Sequence, residues 1–152
     1  MAADRIHRDL VILAPVESVF AVISDPARTP EWLKGVQSVK VVTPGPISVG
    51  SETLSKVEAL GRVWDARGRC VAYDPPRRIT IETLLGPGMR SRSDSQVVAC
   101  EEGTRLSAEL AFQLPGGPLG ALVGAAGARS MIERDFDQSL QRLKQLIESE
   151  SR

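Results

Sequence analysis

PLGALVGAAGARSMIERDFDQSLQRLKQLIE, residues 118–148, decides the fold. Leu119, Leu122, Val123, Ala126, Ile132, Phe136, Leu140, Leu143 and Ile147 recur at helical spacing, and no proline follows Pro118. The spacing predicts one helix over about 118–148, ~45 Å long at the standard rise. An isolated helix is marginal in water, so its apolar stripe has to be buried against another element. Pro115-Gly116-Gly117-Pro118 breaks whatever precedes it and acts as a hinge into the helix.

What precedes it supplies the partner. From Val36 to Leu114 the chain alternates polar and apolar residues in short runs, the signature of half-buried strands. The runs 37–43, 51–60, 62–73, 78–85, 89–100 and 104–114 are parted by turn words such as Pro44-Gly45-Pro46, Asp74-Pro75-Pro76 and Glu101-Glu102-Gly103. Short connections make neighbouring strands antiparallel, because parallel pairs need long crossovers. A further strand over 5–14 carries Ile6, Leu10 and Ile12 on one face. That gives about seven strands, close to what an open sheet of this length holds. Between the first strand and the meander, Pro15 opens a short helix with Val16, Val19, Phe20 and Ile23 on its face. Thr29-Pro30-Glu31-Trp32 opens a second, with Thr29 as its cap and Gly35 closing it. The predicted fold class is therefore α+β: a curved antiparallel sheet wrapped around a long C-terminal helix, as one domain over residues 1–152.

Composition excludes several function classes. The chain has 152 residues, 42% of them apolar and 25% charged, with zero formal net charge. No charge bias points to nucleic acid or to an anionic membrane. No apolar run approaches the ~18 residues of a spanning helix, and residues 1–10 are too polar for a signal peptide. Cys70 and Cys100 form no metal-ligand spacing. A cytoplasmic protein, monomeric or weakly dimeric, with no cofactor and no metal is the expectation.

Residue sizes suggest a cavity under the helix. Its first half carries Gly120, Ala121, Gly124, Ala125, Ala126, Gly127 and Ala128, which fill little space, while its second half carries Phe136, Leu140 and Leu143. One face of the strand 62–73 presents Trp64, Ala66, Gly68 and Cys70, and one face of 89–100 presents Ser91, Ser93, Ser95, Val97 and Ala99. Small residues facing small residues leave volume, and such pockets take apolar ligands with a few polar anchors. The alternative is close helix–sheet packing over the same small residues.

At this point particular words in the sequence carry a resemblance. Ile12-Leu13-Ala14-Pro15, then Val19-Phe20, Asp25-Pro26 and Glu31-Trp32, followed later by Tyr73-Asp74-Pro75-Pro76-Arg77, Gly103-Thr104-Arg105-Leu106 and the Leu140–Leu143–Ile147 helix, resemble the START-like, or SRPBCC, superfamily and its polyketide cyclase/dehydrase-like branch. The resemblance spans almost the whole chain and departs at Leu13, where many relatives carry an acidic or polar residue. It implies a helix-grip fold with a ligand cavity between helix and sheet. Members bind lipids, sterols, plant hormones and polyketides, and some cyclise or dehydrate polyketides. Fold analogy alone does not fix an activity.

The residues themselves offer little catalytic chemistry. His7, the only histidine, is expected on the outer phase of the first strand, so no nucleophile–base pair is assigned. Asp65, Glu82, Asp94 and Glu109 fall on polar phases and read as solvated. Arg129 and Glu133, one turn apart, can pair, with Arg129 a candidate anchor for a polar ligand group. The expected ligand-binding set is Phe20, Trp32, Leu33, Trp64, Ile81, Thr83, Ser95, Leu110, Phe112, Leu122, Val123, Ala126, Arg129 and Met131. The loops 47–50 and 86–88 are expected to flank the cavity mouth as gates. The function read from this is binding of a hydrophobic or amphipathic small molecule: a lipid, a polyketide or an aromatic metabolite. The alternatives are a polyketide cyclase or dehydratase using the same cavity, and a partner-binding protein with a filled core.

Overall fold

The computed structural model describes residues 4–59, 61–86, 88–114 and 125–151. Strand β1 (Asp4–Ile12) is followed by helix α1 (Val16–Ile23), a 3-10 turn (Pro26–Arg28) and helix α2 (Thr29–Trp32). Six strands follow: β2 (Val36–Val41), β3 (Glu52–Ala59), β4 (Arg62–Asp74), β5 (Arg78–Leu85), β6 (Met89–Cys100) and β7 (Gly103–Gln113). Helix α3 (Ala125–Glu150) ends the chain. All pairings are antiparallel, in the order β1-β7-β6-β5-β4-β3-β2. Consecutive strands are neighbours from β2 to β7, and β1 closes on β7. This is the helix-grip arrangement expected from the periodicities. The helix expected from residue 118 is described from Ala125 onward; 118–124 lie outside the described residues.

Two capping expectations are corrected. Thr29 lies inside α2 rather than capping it. The cap comes four residues earlier, where the Asp25 carboxylate accepts from the Ala27 N–H at 3.0 Å and starts the 3-10 turn that runs into α2. Pro26 takes the first position of that turn, where its missing N–H costs nothing. α2 stops at Trp32 with Leu33 as its C-cap, short of the expected Gly35; Gly35 lies in the turn into β2, and it has to be glycine there. Its φ is +89°, and a Cβ there would stand 2.7 Å from the Glu58 carbonyl.

The core gathers under the C-terminal half of α3. Ile12, Val19, Val97, Leu106, Leu143 and Ile147 are all at most 1% exposed, each contributing roughly 1.5–3 kcal/mol through burial. Polar ties fix α3 along β1. Arg8 Nε donates to Asp137 at 2.8 Å, Lys144 Nζ donates to the Val11 carbonyl at 2.7 Å, and Glu148 accepts the Leu13 N–H at 2.8 Å. Near the helix end, Arg28 joins Glu31 to Glu150. The half of α3 bearing Leu140, Leu143 and Ile147 is thus packed solid, and any open volume lies toward its start. Among the described residues, no helix is long and apolar enough to cross a membrane.

Candidate functional site

Strand register fixes which side chains floor the concave face. Val57 pairs with Trp64, and Ser55 pairs with Ala66, which pairs with Leu85, which pairs with Met89. The next row runs Thr53, Gly68, Thr83, Ser91 and Phe112. Because side chains alternate along a strand, these rows share one face with Cys70, Ser93, Ser95 and Val97. The phase assigned from sequence to β4 and β6 therefore holds. Gly68 sits where a Cβ would come within 2.7 Å of Thr53 Oγ1, so the Thr53 side chain takes the space that a side chain at 68 would fill.

Above this floor, toward the β3–β4 and β5–β6 hairpin tips, lies a partly open cavity of about 220 Å³. Val57, Ala59, Trp64, Leu85, Met89 and Leu110 line it from the sheet. Ala128, Met131, Ile132 and Phe136 line it from α3, and Leu33 and Lys34 from the segment after α2. That volume far exceeds the ~10–15 Å³ a single water needs by the same kind of measure. Its walls are almost wholly apolar, so an apolar molecule would gain by displacing water from them.

Trp64 is the best-fixed of these walls. Its Nε1 donates to the Ala59 carbonyl at 2.8 Å. Gly86, at φ +57°, lies so close that a Cβ would meet Cε3 at 2.8 Å. The Arg62 guanidinium stands 5.0 Å over the ring. The indole therefore has its polar edge satisfied and its apolar body turned to the cavity, the division a tryptophan favours.

The polar groups at the cavity are mostly engaged. Lys34 Nζ lies 3.1 Å from Asp135 Oδ1. The Lys34 N–H donates to Ser139 Oγ at 2.9 Å, and Ser139 Oγ donates to the Asp135 carbonyl at 2.8 Å. Glu58 accepts from Gln37 at 3.2 Å. The segment 33–35 is thus a strap between α3 and β3, since the Gly35 carbonyl also accepts the Glu58 N–H at 2.7 Å.

Of the ligand-binding set expected from sequence, Leu33, Trp64, Leu110 and Met131 lie on this cavity. Phe20 does not; it stacks on Tyr73 at 5.8 Å within the core. Trp32 and Ile81 pack against the same core, and the Trp32 Nε1 is buried with no hydrogen-bond partner among the described residues. Phe112 is 1% exposed. Thr83 and Ser95 are on the concave floor, nearer the core than the cavity lining. Arg129 turns away to β1: it pairs with Glu133 at 3.0 Å and Asp4 at 3.2 Å, and donates to the Arg5 carbonyl at 3.1 Å. Leu122, Val123 and the side chain of Ala126 lie outside the described residues. The sequence reading missed Val57, Leu85, Met89, Ile132 and Phe136. The first three share Trp64's phase at the hairpin tips, and that was the signal available.

The remaining chemistry is sparse. His7 is exposed and 3.3 Å from Asp9 on the outer face. Asp65, Glu82, Asp94 and Glu109 also face outward, paired with Lys56, Arg92, Arg78 and Arg5. Burial pushes the Cys70 thiol above its ordinary value, against a weaker opposing pull from the Ala72 backbone, and a protonated buried thiol is a poor nucleophile. Among the described residues, no group of three His, Cys, Asp or Glu could hold a metal ion.

Comparison with known proteins agrees with this fold. The profile of the family described as "Polyketide cyclase / dehydrase and lipid transport" matches residues 4–148. Among solved structures, the chain is similar to the Zhui aromatase/cyclase from Streptomyces sp. R1128, with a TM-score of 0.82 at 16% identity, covering 99% of this chain and 96% of that one. A protein from Thermus thermophilus is similar at a TM-score of 0.74 and 19% identity, covering 98% and 100%. One from Chromobacterium violaceum gives 0.68 at 22% identity, covering 97% and 99%. At these identities the likeness is one of fold. No curated protein sequence matches the chain significantly.

Proposed function

The chain belongs to the polyketide cyclase / dehydrase and lipid transport family, within the SRPBCC superfamily, and on that premise we propose that it binds a hydrophobic or amphipathic small molecule between α3 and the sheet. A lipid, a polyketide or an aromatic metabolite fits the description. One observation carries the reading: an apolar space of about 220 Å³, walled by Trp64, Leu110, Met131 and Phe136, is left under the start of α3 while the helix's other half is packed solid. The chain would do this as a single cytoplasmic domain over residues 1–152, monomeric or weakly dimeric and without a cofactor.

Native mass spectrometry of protein purified from its own host tests the proposal. A retained small molecule, together with thermal stabilisation by lipid-like or aromatic compounds, is the expected result. Ligand-free protein that no such compound stabilises would overturn it.

A cyclase or dehydratase is the second reading, favoured by the family description and by the aromatase/cyclase among the structural relatives. General acid–base work needs a group free to exchange a proton with the bound molecule. Lys34 and Asp135 are paired with each other, and the Ser139 hydroxyl is committed to two backbone partners. That arrangement supports holding a ligand more than turning it over. Product formation from a poly-ketone substrate, abolished by one substitution in the cavity, would establish the enzyme.

A further inference from the structure

Arg62 stands apart from the other basic residues of β4. Residues 62, 64, 66 and 68 share the concave face, whereas Arg67 and Arg69 fall on the opposite phase. Arg62 pairs across the hairpin with Ala59, and its guanidinium lies 5.0 Å over Trp64. Both of those neighbours line the cavity. The indole beneath it is held at Nε1 by the Ala59 carbonyl and backed by Gly86. The cation is therefore stacked on a ring that is itself fixed, which orients the guanidinium with less freedom than a solvated arginine keeps.

The ion pairs at the site leave Arg62 without an anion. Lys34, the basic residue that lines the cavity, is matched by Asp135, and Glu58 is taken by Gln37. Arg62 has no carboxylate partner among the described residues. An exposed guanidinium at the rim of an almost wholly apolar cavity complements one kind of molecule. Its body is apolar and fills the space beside Trp64, and its single terminal anion meets the planar donor fork outside.

We infer that Arg62 anchors an acidic head group, and that the ligand of this cavity is an amphiphile with an apolar body and one terminal carboxylate, phosphate or sulfonate. This rests on the proposed binding function and narrows it. The apolar part supplies burial, and the head group sets orientation, head outward at the hairpin tips.

The test uses the whole chain and displacement of the neutral fluorescent probe N-phenyl-1-naphthylamine. Dodecanoate, dodecyl phosphate and dodecanol are the competitors, which share one chain and differ in the head. With the native sequence, at least one of the two acids is expected to displace the probe about fivefold more effectively than dodecanol, the factor a partly exposed ion pair gives. The better acid identifies the head group. Arg62→Gln should bring that acid down to the level of dodecanol, and Arg62→Lys should keep part of the preference. Melting temperature and circular dichroism check that the variants fold; Arg62 is exposed, so they should. Equal displacement by acid and alcohol with the native sequence, or a preference that survives Arg62→Gln, overturns the assignment while leaving the binding function standing. Failure of the probe and all three competitors to bind would overturn both.

Discussion

The Trp64 Nε1 donates to the Ala59 carbonyl at 2.8 Å across the β3–β4 hairpin, and both residues line the same cavity. That bond ties the site's largest apolar wall to the hairpin tip. Trp64→Phe keeps a ring and loses the bond, so urea unfolding should show a loss of about 1 kcal/mol. The same variant locates the ligand. Trp64→Phe, which removes cavity wall, should weaken binding of N-phenyl-1-naphthylamine in a fluorescence titration, while Trp32→Phe should leave its affinity close to native. The reverse pattern would move the binding place to the core side of α2.

How far the sequence led to this point differs by feature. The meander and the long helix were legible because strand and helix periods are local properties of the chain. Strand phase was legible too, since Trp64, Ala66, Gly68 and Cys70 alternate with polar residues whichever way the sheet bends. Position along the strands was not. Whether the cavity lies over Ile81, Thr83 and Ser95 or nearer the tips, over Leu85 and Met89, depends on where α3 crosses the sheet. Burial of Leu143 and Ile147 against residues far away in the chain sets that crossing, and long-range ties such as Arg8–Asp137 and Lys34–Asp135 mark it. Arg129 shows the same limit. Its partner Glu133 could be read from helical spacing, but its second partner, Asp4, comes from the far end of the chain.

Gly86 and Gly61 form a matched pair for testing the indole's seat. Both have positive φ, +57° and +73°, but a Cβ at Gly61 meets nothing within 4 Å while one at Gly86 meets Trp64 Cε3 at 2.8 Å. Gly61→Ala should cost about 1 kcal/mol, the backbone strain alone. Gly86→Ala should cost about 1–2 kcal/mol more, as overpacking does, and it should weaken binding of the same naphthylamine probe. Thermal unfolding and a fluorescence titration of both variants measure the difference. Equal behaviour of the two would mean that the ring is not seated where the geometry puts it.

The strap at 33–35 can be dissected in the same way. Ser139 is 1% exposed and its hydroxyl joins the Lys34 N–H to the Asp135 carbonyl. Ser139→Ala leaves the Lys34 N–H without that acceptor and should cost about 1–2 kcal/mol in urea unfolding. Lys34→Met removes only the exposed ion pair with Asp135 and should cost under about 1 kcal/mol. A larger effect at Lys34 than at Ser139 would show that charge, and not the buried hydroxyl, holds the strap on α3.

Asp94 provides the pH dependence. Partial burial pushes its carboxyl upward, but the Arg78 guanidinium at 2.9 Å, the Thr80 hydroxyl at 2.8 Å and the Gln96 amide at 3.3 Å together outweigh that and hold it below the ordinary carboxylate value of 3.8. A carboxyl whose folded value is depressed contributes stability above its unfolded value, and the contribution disappears as pH falls through the folded value. The native protein should therefore lose unfolding free energy progressively between about pH 5 and pH 2. Asp94→Asn should be less stable at neutral pH by about 1–2 kcal/mol and should lose less on acidification, so the two curves converge in acid. Glu31 and Glu150, also lowered by Arg28 but exposed to solvent, leave a residual slope in the variant. Urea unfolding at a series of pH values compares the two proteins directly; curves that stay parallel down to the acid limit would show that the Arg78–Asp94–Thr80 cluster carries no net charge-dependent stability.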